Sequence, residues 1–119
     1  MKYMIMMFGS AAGMMDVKST DWIKEMIQFM QQLDVDLTSS GELVFNAGLA
    51  DGSAAKTVRL KDGLPVATDG PYAEAKESLI GYWVVDVANE ARIIEIASQI
   101  VKWSGVVEVR PLADAPPEV

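Results

Sequence analysis

Two stretches of this chain, residues 2–8 and 79–87, are apolar on both faces of the strands they would form. In the first, Tyr3, Ile5 and Met7 alternate with Met4, Met6 and Phe8. The second ends in Tyr82-Trp83-Val84-Val85-Asp86-Val87. Side chains along a strand point alternately to its two faces, so a run without polar alternation belongs in a sheet covered on both sides. That condition limits the fold, because the rest of the chain supplies only two helices. The first helix begins at Ser19 or Thr20, with Asp21 in the first turn where negative charge suits the helix dipole. Ile23, Ile27, Met30, Leu33 and Leu37 recur at helical spacing and predict one apolar stripe, with Gly41 as the C-terminal cap. The second helix runs from the N-cap Asn89 to about Trp103. It has a wide apolar face of Ile93, Ile94, Ile96, Ala97, Ile100 and Val101, and Gly105 caps it.

Between the helices, residues 43–49 read as a strand and 51–55 as a turn. Residues 57–60 and 64–68 flank Asp62-Gly63, a hairpin signal because both turn residues tolerate positive φ. Pro65 has no N–H to give a ladder, which predicts that this hairpin lies at an edge. Residues 106–112 form the last strand. Residues 9–18 form a loop whose adjacent Met14 and Met15 either face a ligand as a lid or fold onto the core. Each half then reads strand, helix, strand, with the hairpin inserted between. The expected class is α+β: a ferredoxin-like sheet with two helices on one face and an inserted edge hairpin. The expected domain spans residues 1–113, followed by a C-terminal tail, 114–119, that contains Pro116-Pro117. Two helices cover one face of a four-stranded sheet. The apolar second face therefore calls for a second copy, sheet packed on sheet, in a symmetric homodimer.

At 119 residues the chain is one domain, and its net charge of −7 narrows its partners. An acidic surface repels phosphate backbones, so no nucleic-acid partner is expected. There is no basic run or long apolar segment, so no membrane partner is expected either. The apolar run at residues 4–8 follows a single Lys and reads as a strand rather than a signal peptide, so the expected location is cytoplasmic. The chain has no Cys and no His. It therefore has no thiolate nucleophile, no disulfide, and neither the commonest general base nor the commonest transition-metal ligand. Proton transfer would fall to Asp, Glu, Lys, Tyr or water. A metal would have to be held by oxygens, and no acidic cluster has calcium-loop spacing. The sequence names no cofactor.

The run Thr68-Asp69-Gly70-Pro71-Tyr72-Ala73-Glu74-Ala75-Lys76-Glu77 crowds together turn formers, both charge signs and an aromatic ring. With the Gly81-Tyr82-Trp83-Val84-Val85-Asp86 that follows, it resembles the signature of the YCII-related proteins. The likeness is to the branch named for its Asp-Gly-Pro-Phe (DGPF) motif, with Tyr72 standing where the motif has Phe. Residues 4–10, Ser40-Gly41-Glu42-Leu43-Val44 and Val107-Glu108-Val109-Arg110 also fit, so the resemblance covers essentially the whole chain. It implies a ferredoxin-like fold in a dimeric α/β barrel, in agreement with the burial argument. Some relatives in the wider family carry a His and an Asp proposed as a catalytic pair. This chain has no His, so the pair does not carry over intact. Other branch members are encoded beside alternative sigma factors or fused to them, which implies a regulatory association.

Several residues are candidates for a site. Asp69, beside a Gly-Pro turn, either orients a substrate or acts as acid or base, or it accepts backbone N–H groups in an Asx-type turn. Gly70 permits a backbone conformation closed to other residues, and Pro71 fixes the next φ. Tyr72 either places its hydroxyl in a cleft or packs in the core or an interface. Tyr82 and Trp83 take opposite faces of one strand, one toward the helices and the other toward the sheet-to-sheet interior, and whichever faces that interior either lines an apolar pocket or packs as core. Arg110 pairs with Asp69, binds a substrate carboxylate, or is a plain surface cation like Arg59. Trp22 either covers a cleft entrance or packs beneath the loop at residues 9–18. Glu74, Lys76 and Glu77 are ligands, a solvated charged segment or an inter-subunit salt-bridge network. Three functions fit these residues: a small-molecule enzyme with its pocket near the Asp-Gly-Pro-Tyr motif, a non-catalytic small-ligand binder, and a regulatory partner of another protein.

Overall fold

The strands that are apolar on both faces become the two central strands of the sheet. A computed structural model of the chain describes residues 1–10, 17–72 and 78–113. Met14 and Met15, Glu74, Lys76 and Glu77, and the tail at 114–119 lie outside the described residues. In chain order the elements are β1 (Lys2–Gly9), α1 (Thr20–Ser39), β2 (Leu43–Gly48), a 3-10 turn (Gly52–Ala54), β3 (Lys56–Lys61), β4 (Leu64–Asp69), β5 (Ser78–Asp86), α2 (Glu90–Ser104) and β6 (Val107–Pro111). β1, β2, β5 and β6 make an antiparallel sheet in the order β2-β5-β1-β6. The fold is α+β.

Register assigns the two faces. Ile5 stands opposite both Trp83 and Val109, and Tyr3 opposite both Val85 and Pro111. Tyr3, Ile5, Met7, Trp83 and Val85 are buried with Leu33 and Leu37 of α1 and Ile93, Ile96, Ala97 and Ile100 of α2 in one core. Burying each large aliphatic side chain stabilises the fold by about 1.5–3 kcal/mol. On the other face, Met4 stands opposite Val84 and Arg110, and Met6 opposite Tyr82 and Glu108. No described element covers that face: Phe45 is 55% exposed, and its ring lies 6.1 Å from that of Tyr82.

Both helices start where the sequence predicts. The Trp22 amide donates to Ser19 Oγ at 3.1 Å, and the Arg92 amide donates to Asn89 Oδ1 at 3.0 Å. Each side-chain oxygen satisfies a donor that helical geometry leaves without a partner. The apolar stripe of α1 is buried only toward its C-terminal end. Leu33 and Leu37 are core, Ile23 and Met30 are half-buried, and Ile27 is 46% exposed. The end of α1 is tied to the start of α2. Arg92 donates from Nε to Glu42 Oε2 at 2.9 Å and from Nη2 to Glu42 Oε1 at 2.8 Å. On a different side of α1, Trp22 meets Trp103 edge-on at 5.3 Å, and Phe29 lies 5.7 Å from the same ring. Among the described residues, no helix is long and apolar enough to cross a membrane.

The hairpin departs from expectation in its placement. Its turn is as predicted, with Asp62 at φ 53° and Gly63 at φ 79°, the pair of positive angles that suits a two-residue hairpin loop. β3 and β4, however, pair only with each other and form a separate two-stranded sheet instead of an edge of the main one. The connection explains this. The Ser53 amide donates to Asp51 Oδ2 at 3.1 Å and the Ala54 amide to the Asp51 carbonyl at 2.9 Å. These bonds wind the chain into a 3-10 turn, which stands between β2 and β3 in place of a tight hairpin turn that would pair them.

Candidate functional site

The first half of α1 does not close onto the sheet, and a cleft of about 600 Å³ lies between them. Ile23, Met26, Ile27 and Met30 form its helix wall, and Met7, Ile80 and Trp83 belong to its sheet wall. The α1 residues follow the spacing of three and four that sets side chains on one helical face, and Asp34 continues the same series. Asp34 Oδ1 accepts a 2.6 Å hydrogen bond from Asn46 Nδ2 on β2, so this carboxylate–amide pair bridges helix and sheet at one end of the cleft. Gly48 stands opposite Gly81, and both line the cleft. A Cβ placed on Gly48 would meet nothing within 4 Å. Absent side chains at these two positions leave the sheet wall open. Trp83 is 6% exposed, and its Nε1 is the one buried side-chain nitrogen or oxygen without a hydrogen-bond partner among the described residues.

A second concavity, about 610 Å³, lies at the base of the hairpin beside Lys56, Thr57, Pro71 and Tyr72. The Asp-Gly-Pro-Tyr motif is fastened there. The Gly70 amide donates to the Ala55 carbonyl at 2.8 Å, and Thr57 Oγ1 donates to the Gly70 carbonyl at 2.7 Å. Gly70 has φ 103°, a conformation that a side chain would strain. Asp69 ion-pairs with Lys56, directly across the hairpin, and its side chain is 84% exposed. Tyr72 is 80% exposed; the Arg59 guanidinium lies 5.5 Å from its ring centre, and Arg59 Nη2 donates to its carbonyl at 3.4 Å.

The structure thus brings Asp69 and Tyr72 together on the hairpin and keeps the other candidates apart. Trp83 lies on the helix-facing side of the sheet, in the wall of the α1 cleft. Arg110 does not pair with Asp69. It bonds Glu108 Oε2 at 2.7 Å, two residues back on the same face of β6, while Asp69 sits on the separate hairpin. Trp22 packs on Trp103, with the Lys18 ammonium 4.9 Å from its ring centre. Sequence reasoning passed over Asp34, Asn46 and Gly48. A signal for Asp34 was present, because it is a carboxylate four residues after Met30 in an otherwise apolar stripe. Among the described residues, no cluster of three or more acidic side chains is placed to hold a metal.

The family signature and the fold now meet. A stretch of 77 residues is 36% identical to an uncharacterized protein of Rhizobium meliloti (strain 1021), covering 62% of this chain and 62% of that protein. The pattern of the YCII-related domain matches residues 1–115, which takes in both helices, the sheet, the hairpin and both clefts. The chain belongs to the YCII-related family.

Proposed function

We propose that this protein binds a small molecule in the cleft between α1 and the sheet, and that it works as a homodimer. The cleft carries the reading. Its volume of about 600 Å³ falls within the usual range for ligand pockets, which are mostly apolar with a few placed polar groups. Here those groups are Asp34 and Asn46. Binding is favoured over catalysis at the motif by the surroundings of Asp69. A general base is usually tuned by desolvation, and Asp69 is solvated and paired with a lysine.

The strand order β2-β5-β1-β6 with a helix after β1 and another after β5 supports a ferredoxin-like unit. The uncovered apolar face, with Met4, Met6, Phe45, Tyr82 and Val84, supports pairing sheet to sheet as a dimeric α/β barrel. The Asp69-Gly70-Pro71-Tyr72 sequence supports placement in the DGPF branch.

A thermal-shift screen of a metabolite library tests the site against two variants, Gly48→Leu and Asp69→Asn. Gly48→Leu projects a side chain into the cleft, and Asp69→Asn alters the motif alone. A ligand at about 100 times its dissociation constant stabilises by about 2.7 kcal/mol. The expected hit stabilises the wild type and Asp69→Asn but not Gly48→Leu. A hit lost in Asp69→Asn and kept in Gly48→Leu would move the site to the hairpin base.

A further inference from the structure

Resting on that binding reading, we infer that the cleft selects a cationic amphiphile, with an ammonium head held at the Asp34 end and an apolar body laid along α1. Charge points to the head group. Among the described residues no Lys or Arg lines the cleft, and Asp34 is its one carboxylate and has no ion-pair partner. Two elements place that carboxylate. Asn46 stands opposite Trp83 in the sheet register, which turns its side chain to the helix-covered face. Asp34 follows Met30 by one helical turn on the α1 wall. Their hydrogen bond therefore crosses from one wall of the cleft to the other, and both residues are only half-buried. That bond uses one carboxylate oxygen and the amide donor. Among the described residues no donor reaches Asp34 Oδ2 or Asn46 Oδ1, so both groups left over are acceptors. An ammonium has three donors and no acceptor, and its bond to a carboxylate is charge-assisted. A carboxylate ligand would bring acceptors to acceptors and a second negative charge to the first. The helix wall fixes the rest of the ligand. From Asp34 back to Ile23 it runs about 16 Å at a rise of about 1.5 Å per residue. Met30, Ile27 and Met26 lie between, so a second charge on the ligand would find no partner there. The flexible thioethers adapt to alkyl bodies of varied shape.

Three probes matched in length and differing in the head group test the class: octylammonium, 1-octanol and octanoate, titrated calorimetrically into the full chain. Octylammonium should bind saturably, and the other two should be weaker by about tenfold or more. Asp34→Asn, which keeps an acceptor for Asn46, should weaken octylammonium by about tenfold and leave 1-octanol within about twofold. Asp62→Asn removes the same charge from the hairpin turn and should change neither, which separates Asp34 from the general attraction of an acidic chain. Equal or tighter binding of 1-octanol or octanoate by the wild type would overturn the ligand class and leave the binding reading standing. So would unchanged octylammonium affinity in a cooperatively melting Asp34→Asn, or a loss in Asp62→Asn as large as that in Asp34→Asn. If no probe binds the wild type, or if Gly48→Leu binds all three as well as the wild type does, the binding reading falls with the inference.

Discussion

Glu42 and Arg92 lie fifty residues apart in sequence and meet in a two-pronged pair that joins the start of β2 to the first turn of α2. The Arg92 hydrogen bonds hold the Glu42 carboxyl below its ordinary value of 4.5; burial opposes them more weakly, and a hydrogen bond from Ser40 adds a lowering smaller than either. A carboxyl that titrates lower in the folded than in the unfolded chain binds protons more readily when unfolded. Its contribution is therefore present above the unfolded value and lost as pH falls through the lower folded one. The melting advantage of the wild type over Glu42→Gln should shrink as the pH falls below about 4.5. A constant difference from neutral pH to strong acid would contradict the pairing. Arg92→Met, which leaves the carboxylate without its partner, should cost about 1.5–3 kcal/mol in urea unfolding. At this scale the sequence was an uneven guide. The conformation of Gly70 was legible because it depends on its own turn. Asp69 stood out in the sequence yet sits in solvent, and Asp34 gains its significance only from Asn46 on another element.

For the elements, local signals located both helices and the hairpin turn to within a residue or two. Ser19, Asn89, Gly105 and Asp62-Gly63 each act through bonds or angles a few residues away. What local pattern could not show was how closely each element approaches the others. The stripe of α1 reads as continuous, but only its C-terminal part is packed, and the remainder lines the cleft. Two truncations measure that difference by chemical denaturation. Leu37→Ala, at a fully buried position, should cost about 2–5 kcal/mol. Ile27→Ala, at a half-exposed one, should cost less than about 1 kcal/mol. Similar losses at both would mean that α1 is packed evenly and the cleft closed. The hairpin was misplaced for a related reason: Pro65 excludes a central strand but does not say which sheet the hairpin joins, and the 3-10 turn after β2 decides that.

Over the whole molecule, the strongest constraint visible in the sequence was that β1 and β5 are apolar on both faces. The structure covers one of those faces with helices. The proposed homodimer covers the other, and Phe45→Glu should then shift the sedimentation-equilibrium mass from dimer toward monomer while leaving the fold cooperative. A wild type that sediments as a monomer would remove the dimer. The methionines permit one measurement of binding inside the whole molecule, because Met7, Met26 and Met30 line the cleft while Met4 and Met6 lie on the opposite face of the sheet. With the methionine methyl groups labelled for NMR, the ligand identified by the thermal-shift screen should shift the resonances of Met7, Met26 and Met30 and leave Met4 and Met6 in place. Shifts confined to Met4 and Met6 would put the ligand on the open face and contradict a binding site under α1.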